Sequence, residues 1–426
     1  MAMDTTVAGT VSSVAGRDQV DPVAMAITPR DGECPMQKPV IVDAVRTPIG
    51  KRGGHLAGVI APRLLATATR GVLERNGVEP SEVDQLVAGC VTQAGQQASN
   101  IGRTSWLSVG DDYTTAATTV DCQCGSGQQA NNFVMGLIAT GGAQIGIGCG
   151  VEQMSQVPLG TAARGGGGYY KDDSWPWDEA DNGQFGAAQR VADRRGITRE
   201  HTDAFGARSQ QKAATAWAEG RFDREIVPVP DAPQIDKEGQ PTGETVTVER
   251  DQGLRDTTVE ALAKLAPVIP DTVHTAGTSS QISDGAAAVL WMDEDVARDR
   301  GVKPRARVLY HTMVGADPYY LLDGPVDATA KMLDQTDFSM DDFDIMECNE
   351  AFAAVVLSWA QVYDIDMDKV NVNGGAIALG HPVGCTGSRL VATALHELER
   401  RDQELALITM CQGGALGIAT VLQRID

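Results

Sequence analysis

Three reactive side chains, Cys124, His381 and Cys411, each lie in a glycine-rich stretch of this chain. Cys124 precedes Gly-Ser-Gly, His381 directly follows the stretch from Gly374 to Gly380, and Cys411 is the first residue of Cys-Gln-Gly-Gly. A thiol and an imidazole together can supply an activated nucleophile, and a second thiol can carry protons. Neighbouring glycines let backbone amides approach a reacting carbonyl oxygen. The combination indicates acyl transfer through a thioester.

Cys124 precedes a run with helical periodicity that starts at Gln128. A cysteine at a helix N-terminus has its thiolate stabilised by the free amides and the helix dipole. The alternative is a buried structural cysteine in a tight turn. Cys122 is a competing nucleophile, because strand alternation points it the same way as Cys124. The Gly-Ser-Gly context favours Cys124.

His381 precedes Pro382, which restricts it to an extended backbone and suits a fixed imidazole. The alternative is a hydrogen-bonded core histidine without a chemical role. Cys411 ends an apolar strand and could shuttle a proton, while the Gly413 amide could point at an oxyanion. The alternative for Cys411 is a cysteine at a β-bulge.

Asn349 follows an apolar strand, where its side chain could hold a water molecule that hydrogen-bonds a carbonyl oxygen. The alternative is a helix N-cap for a helix beginning near Ala351. The stretch from His274 to Gly285 is rich in small polar residues and suits contact with a pantetheine-like arm, or it is an ordinary hydroxyl-rich loop.

Short apolar runs alternate with helical stretches over most of the chain, which predicts a parallel or mixed sheet covered by helices. The predicted strands are 39–43, 85–89, 118–121, 143–148, 286–291, 306–310, 343–347, 370–373 and 406–411. Residues 119–121 before Cys124 and 370–373 before His381 form a weak internal repeat. This repeat predicts a duplicated α/β unit with active-site loops at the carboxyl ends of strands.

The predicted organisation has a flexible N-terminal extension, 1–37, followed by two halves, 38–300 and 301–426. Within the first half, residues 155–270 break the alternation, with four glycines at 165–168 and polar turns at 234–244. We interpret them as an inserted loop domain that shapes the substrate site.

The composition narrows the classes of function that this chain can have. Its 426 residues carry 57 acidic and 35 basic side chains, a net charge of −22 that disfavours binding to nucleic acid or anionic membranes. The eight cysteines have no paired framework and are expected to be thiols, and no His or Cys spacing supports a metal site. Without a secretory signal or an apolar span, the expected location is cytoplasmic.

These segments together resemble the thiolase family of acetyl-CoA acyltransferases over residues 38–426. The resemblance depends on six motifs in order: 45–50 (VRTPIG), 124–127 (CGSG), 275–287 (TAG, Ser280 and DGAA), 349–353 (NEAFA), 374–382 (GGAIALGHP) and 411–414 (CQGG). The variants at 121–130 and 278–284 are most similar to actinobacterial thiolases that shorten steroid side chains. The resemblance implies the duplicated thiolase fold, layered α-β-α-β-α.

The resemblance also implies roles for individual residues. Cys124 would take the acyl group, His381 would activate it, and Cys411 would be the acid/base for the second substrate. Asn349, through a water molecule, and His381 would form one oxyanion site, and the amides of Cys124 and Gly413 the other. The residues implied to bind substrate or CoA are Ser280, Ala276, Gln184, Phe185, Ala351, Phe352 and Arg255.

The sequence therefore predicts thiolytic cleavage of 3-ketoacyl-CoA by CoA in lipid or steroid side-chain β-oxidation. No permanently bound cofactor or metal is expected, and the family resemblance implies a homodimer or homotetramer. The alternatives are a biosynthetic acetyl-CoA acetyltransferase and a non-catalytic lipid-binding protein of the same fold. Three departures from the family pattern are Asp121 before the nucleophile, Ala415 for a third glycine, and Gln184-Phe185 for His-Met.

Overall fold

The computed structural model describes residues 36–109, 112–164, 171, 174–236 and 238–425. Most of the predicted N-terminal extension and the four glycines at 165–168 lie outside the described residues. At the start of the described chain, the Gln37 amide donates to the carbonyl of Ala139 (3.1 Å).

The strands coincide with the apolar runs and extend most of them. The strands of the described residues are β1 (Pro39–Arg46), β2 (Gly50–Lys51), β3 (Gln85–Gly89), β4 (Ala116–Val120), β5 (Ile145–Gln153), β6 (Val229–Ile235), β7 (Pro241–Val248), β8 (Ser283–Asp293), β9 (Ala306–Gly315), β10 (Ile345–Cys348), β11 (Leu405–Gln412) and β12 (Leu416–Arg424).

The helices fall between these strands and in the stretch that interrupts the alternation. Those of the described residues are α1 (Ala61–Asn76), α2 (Ile101–Val109), α3 (Ser126–Ala139), α4 (Thr161–Arg164), α5 (Gln184–Arg195), α6 (Arg199–Ala218), α7 (Val259–Leu262), α8 (Glu294–Asp299), α9 (Gly324–Gln335), α10 (Ala353–Val362), α11 (Ala376–Leu379) and α12 (Thr386–Arg401). None of them is long and apolar enough to cross a membrane.

The large sheet is mixed, as predicted, with the order β10-β11-β12-β9-β1-β8-β5-β3-β4. It consists of two groups of strands, and within the described residues β1 and β9 join them through one register pair, Ile41 with Ala306. Each group contains parallel strands, β3 between β4 and β5 in one and β10 beside β11 in the other. Loops at the carboxyl ends of β4 and β10 carry Cys124 and Asn349, and Cys411 lies near the end of β11 itself.

Apolar side chains on both faces of each strand group produce five layers, which confirms the predicted α-β-α-β-α arrangement. Helix α1 packs against one face of the β1, β3, β5 and β8 group. Helices α3 and α12 lie in the middle, where one buried cluster joins residues of both strand groups. Helices α9 and α10 cover the outer face of β10, β11 and β12. The central helices thus bring the loops of the two halves together.

Two secondary-structure predictions are wrong. Residues 370–373 do not form a strand; only Val370 makes a bridge, to Met346, and Asn371 has φ 45°. The Asn371 amide pairs with the backbone of Cys348, accepting from its N–H (2.9 Å) and donating to its carbonyl (2.8 Å). A side chain therefore takes the place of the expected strand pairing. The residues predicted as polar turns, 234–244, lie instead in the hairpin of β6 and β7. Residue 237, in the connection of this hairpin, is outside the described residues.

Candidate active site

The turn between β4 and α3 holds Cys124 by backbone conformation and local hydrogen bonds. Gln123 has φ 53°, and its amide donates to Oδ1 of Asp121 (2.7 Å). Ser126 Oγ accepts from the amide of Cys122 (2.9 Å) and donates to the carbonyl of Gln123 (2.6 Å). These bonds leave Cys124 buried just before the first turn of α3, while Cys122 is half-buried.

Burial is the largest influence on the Cys124 sulfur, and it raises the pKa of the thiol to about 11. Hydrogen bonds from the amides of Gly413 and of Cys124 itself lower this pKa, but by less than burial raises it. The expectation of a stabilised thiolate at the helix N-terminus is therefore wrong for the free enzyme. Cys124 is a thiol at neutral pH and needs a base to become a nucleophile.

Glycines on α3 and α12 allow the two halves to approach closely at the site. A Cβ atom added to Gly127 would lie 2.7 Å from the carbonyl oxygen of Gly384, and one added to Gly387 would lie 2.1 Å from the amide nitrogen of Gln128. Ser388 of α12 donates to the carbonyl of Gly127 (3.1 Å) across this contact. Small residues therefore set the distance between the loops of Cys124 and His381.

His381 is buried and held at three of its atoms. Its amide donates to Oγ of Ser283 (3.1 Å), its Nδ1 lies 2.6 Å from Oγ1 of Thr386, and its Nε2 lies 3.4 Å from Nδ2 of Asn349. The Thr386 hydroxyl donates its single proton to the carbonyl of Pro382 (3.0 Å). The fixed imidazole predicted from Pro382 thus has side-chain contacts that the sequence did not reveal.

These contacts determine the tautomer of His381. Because Thr386 donates to Pro382, its oxygen accepts from Nδ1–H of His381, and Nε2 is left without a proton. The amide of Asn349 donates to Nε2, which requires the same tautomer. Burial, with a smaller contribution from the charge of Arg389, lowers the pKa of His381 to about 3. His381 is thus a neutral imidazole whose unprotonated nitrogen, Nε2, faces the Asn349 amide.

Asn349 and Cys411 come together because β10 and β11 are parallel neighbours. The backbone N–H of Asn349 donates to the carbonyl of Thr409 (3.1 Å), two residues before Cys411. Burial raises the pKa of Cys411 well above the usual range, and the neighbouring Cys124 sulfur raises it further. Asn349 is not a helix cap, because α10 begins at Ala353 with Phe352 as its N-cap. Both thiols are therefore protonated and close enough to interact.

The turn between β11 and β12 presents the Gly413 amide to Cys124. Cys411 pairs in regular register with Gly417, so the β-bulge alternative for this cysteine does not hold. Gly414 and Ala415 both have positive φ, 77° and 55°. Ala415, which stands where the family pattern has a glycine, therefore adopts a conformation that favours glycine.

The predicted substrate-binding residues fall into two places. Ser280 donates its amide to the carbonyl of Ala351 (2.9 Å), which joins the 274–285 stretch to the Asn349 loop. Arg255 is exposed, and its Nη2 donates to the carbonyl of Ala276 (3.3 Å). Ser280 is therefore joined to the loop that carries Asn349, whereas Arg255 contacts the 274–285 stretch from an exposed position.

The remaining predicted binding residues form an aromatic contact beside Cys411. Gln184 and Phe185 begin α5, and the Phe185 ring packs edge-on against Phe352 with centroids 4.9 Å apart. Phe185 and Phe352 belong to the same apolar cluster as Cys411. An apolar surface therefore borders the second thiol.

Sequence reasoning missed two residues that hold the site, Thr386 and Glu152. The buried carboxylate of Glu152 accepts from the amides of Val91 (2.9 Å), Thr92 (3.0 Å) and Gly384 (3.1 Å). It thereby fixes the loop after His381 against the loop after β3. The feature of the sequence that could have revealed Glu152 is its position as a lone acidic residue in an apolar strand, because a carboxylate buried there requires hydrogen-bond donors.

The described residues contain no group of three His, Cys, Asp or Glu side chains arranged to hold a metal ion. The seven described cysteines are free, and Cys34 lies outside the described residues. The site geometry consists of two protonated thiols, a neutral imidazole and backbone amides. Such an arrangement suits acyl transfer through a cysteine thioester.

Comparison with known proteins agrees with this geometry. The model of the thiolase N-terminal domain matches residues 39–295, and that of the thiolase C-terminal domain matches residues 302–424. The chain therefore belongs to the thiolase family.

Among curated proteins, the chain is 39% identical over 413 residues to the steroid 3-ketoacyl-CoA thiolase of Mycobacterium tuberculosis, covering 95% of this chain and 98% of the relative. It is 41% identical over 409 residues to the β-ketoadipyl-CoA thiolase of Pseudomonas putida, covering 92% of this chain and 100% of the relative.

Two solved thiolase structures share the fold. They are the acetyl-CoA acetyltransferase of Bacillus anthracis (TM-score 0.83, 34% identity) and the human mitochondrial 3-ketoacyl-CoA thiolase (TM-score 0.82, 33% identity). Each comparison covers 92% of this chain and 100% of the other. The predicted fold class and enzyme class are confirmed.

Proposed function

We propose that this thiolase cleaves a 3-ketoacyl-CoA with CoA to give acetyl-CoA and a shortened acyl-CoA. The observations that support this reaction best are the two protonated thiols of Cys124 and Cys411, the Gly413 amide that faces Cys124, and the neutral His381 held by Asn349. Two thiols allow one sulfur to hold the acyl group while the other moves the proton of the acetyl fragment.

In the first half-reaction, the Cys124 proton moves to Nε2 of His381, and the sulfur attacks the 3-keto carbon. The bond between C2 and C3 breaks, leaving the acyl group on Cys124 and an acetyl-CoA enolate. Cys411 donates its proton to C2 of that enolate, so acetyl-CoA leaves and Cys411 is left as the thiolate. A thioester α-carbon is acidic enough for this exchange with a thiol.

In the second half-reaction, the Cys411 thiolate takes the proton of a CoA thiol. The CoA thiolate attacks the acyl carbon on Cys124, and the Cys124 sulfur leaves and regains its proton from His381. The oxyanions would be stabilised by the amides of Gly413 and Cys124 and by His381 with Asn349 acting through a water molecule. The acyl group leaves as the shortened acyl-CoA, and the three enzyme side chains return to their starting protonation states.

The test is the loss of 3-ketoacyl absorbance when the purified protein is mixed with acetoacetyl-CoA and CoA. Mass spectrometry of the protein after incubation with acetyl-CoA should show one added acetyl group, and peptide mapping should place it on Cys124. No CoA-dependent cleavage of any 3-ketoacyl-CoA would contradict the proposed function. An acetyl group on Cys122 instead would contradict only the assignment of the nucleophile.

For the acyl group, we propose lipid or steroid side-chain substrates. The identity with the Mycobacterium tuberculosis steroid thiolase supports this proposal, as does the apolar surface beside Cys411. The measurement is kcat/KM over a panel from acetoacetyl-CoA to a 3-keto steroid side-chain CoA. A strong preference for acetoacetyl-CoA would contradict the steroid proposal.

The second candidate is biosynthetic condensation of two acetyl-CoA molecules, which is favoured by relatives named acetyl-CoA acetyltransferase. Steady-state kinetics in both directions distinguish the two, because a biosynthetic enzyme would sustain condensation at physiological acetyl-CoA and CoA. A non-catalytic lipid-binding role is disfavoured, because both thiols and the imidazole are present.

Further parts of the proposal concern binding and assembly. We propose that CoA and acyl-CoA are substrates rather than permanent cofactors, and that Ser280, Ala276 and Arg255 contact the CoA arm. Gln184, Phe185, Ala351 and Phe352 would border the acyl end. We also propose that the protein is a homodimer or homotetramer in the cytoplasm. Its chain would divide into two halves at residue 300, with the loop domain 155–270 inserted in the first half.

A further inference from the structure

A turn between β9 and α9, residues 319–322, borders the second thiol of the site. Leu322 is buried in the apolar cluster that contains Cys411 and Phe352, and Tyr320 and Leu321 pack against the same cluster. Tyr319 is 41% exposed, so the turn runs from the buried thiol to the surface. An acyl group that leaves the thiols in this direction would lie along the turn.

The turn has a conformation that its residue types do not favour. Leu321 has φ 55°, which lies in the left-handed region that side chains other than glycine and asparagine rarely adopt. The Leu322 amide donates to the carbonyl of Tyr320 (2.5 Å), which closes a very tight turn. Contacts from outside the turn are therefore needed to keep it in place.

Helix α5 supplies these contacts through arginines spaced one turn apart. The guanidinium of Arg190 lies 3.9 Å from the ring centre of Tyr319, and that of Arg194 lies 4.3 Å from the ring centre of Tyr320. Arg190 Nη1 also donates to the carbonyls of Tyr319 (3.1 Å) and Asp178 (3.1 Å). Cation–π stacking and hydrogen bonds together attach the turn to α5.

Asp323 fixes the end of the turn. Its buried carboxylate accepts from Arg194 (3.0 Å), Arg195 (3.3 Å) and the hydroxyl of Ser358 on α10 (2.7 Å). The clamp, defined as Arg190, Arg194 and Arg195 with Asp323, therefore connects α5, α10 and the turn. Phe185, in the first turn of α5, packs on Phe352, so the clamp joins two sides of one apolar surface.

We propose that this clamp determines acyl specificity by holding residues 319–322 as a wall for an extended apolar acyl group. The inference rests on the proposed function and adds the part of the substrate that the wall contacts. The methyl end of acetoacetyl-CoA is too short to extend along the turn, whereas a chain of ten carbons is not. Arg190 is a positioning residue for this wall, because it acts through Tyr319.

The experiment measures kcat/KM of wild type, Arg190→Ala and Arg190→Lys with acetoacetyl-CoA and with 3-ketodecanoyl-CoA. Arg190→Ala should lower kcat/KM about tenfold for 3-ketodecanoyl-CoA, mainly through KM, and change it less than about twofold for acetoacetyl-CoA. Arg190→Lys should fall between, because lysine keeps the charge but not the planar stacking and forked donors. The matched control is Arg250→Ala, which removes a stacked arginine over Trp217 (4.7 Å) in another region.

An equal loss with both substrates would overturn the inference, since it would show a general structural role for Arg190. An unchanged ratio of the two kcat/KM values would overturn it as well. A wild-type protein that cleaves neither substrate would instead overturn the proposed function. Melting temperatures of all variants separate loss of folding from loss of specificity.

Discussion

The loops of Cys124 and His381 occupy matching positions before α3 and α12, but they are held in different ways. The Cys124 loop follows a regular strand, and its sulfur faces backbone amides. The His381 loop follows no strand, and side chains hold it, above all Thr386, Asn371 and Glu152. The nucleophile is thus held by a turn whose side-chain hydrogen bonds, from Asp121 and Ser126, are all local, whereas the base is held by side chains that include Glu152 from β5.

The reason lies in what each group must do. A sulfur that takes an acyl group needs amides aimed at an oxyanion, and the backbone supplies them at fixed positions. An imidazole that takes a proton must keep one tautomer, and only a partner for Nδ1 can select it. Substitutions of side chains should therefore affect the two loops unequally.

The largest expected effect is that of Cys124→Ser, which removes the nucleophile and leaves the backbone of its loop intact. Thiolysis of acetoacetyl-CoA should fall at least about a thousandfold, with an unchanged melting temperature. The matched control is Cys122→Ser, which changes the neighbouring half-buried thiol and should keep most of the activity. Equal activity of Cys124→Ser and wild type would refute the assignment of the nucleophile.

Thr386→Val tests the side-chain anchoring of the base. Valine has the shape of threonine but cannot accept from Nδ1–H, so the tautomer is no longer selected and kcat should fall about 10- to 100-fold. Thr386→Ser keeps the hydroxyl and should restore most of kcat. If valine and serine behave alike, packing rather than the hydrogen bond explains the role of Thr386.

Gly127→Ala tests the close contact between the two halves. The added methyl group would lie 2.7 Å from the carbonyl oxygen of Gly384, so the free energy of unfolding should fall by about 1–3 kcal/mol, with loss of activity. The control in the same helix is Gly136→Ala, where nothing lies within 4 Å of the added atom. It should raise the free energy of unfolding by about 0.5–1 kcal/mol. Denaturant unfolding of both variants decides whether the contact or the helix is responsible.

The effect that is smallest at neutral pH concerns acid stability and the pKa of His381, which burial lowers to about 3. Between about pH 6.5 and that value, the unfolded chain binds a proton that the folded protein does not, so the free energy of unfolding falls as pH falls. His381→Asn removes this contribution and should reduce the slope by at most about 1.4 kcal/mol per pH unit. His274 and His396, whose pKa values burial also lowers, to about 4, are unchanged in both proteins and cancel. An unaltered slope in denaturant titrations would show that His381 titrates normally.

Much of the fold could be read from hydrophobic patterning. Period-two and continuous apolar runs located eight of the twelve strands of the described residues, because buried strands require such side chains whatever their neighbours are. The prediction overlooked β12, although that strand is mostly buried. Other failures occurred where side chains replaced backbone pairing, as at Asn371, or where an exposed hairpin lacks an apolar pattern, as in β6 and β7. Polar residues in such places have several local options, and contacts distant in sequence select among them.

For the site, the sequence determined the reactive groups, since Cys124, His381, Asn349 and Cys411 with their glycines have few other uses in combination. Only the tertiary structure decided their protonation. The helix N-terminus suggested a stabilised thiolate, but burial outweighs the amides and keeps Cys124 a thiol, and Thr386 selects the tautomer of His381. The burial of Cys124 and the Gly413 amide that faces it depend on residues hundreds of positions away, and Thr386, although only five residues after His381, reaches Nδ1 only because the chain turns between them. Local sequence therefore specifies which groups can react, and the folded structure specifies their protonation states.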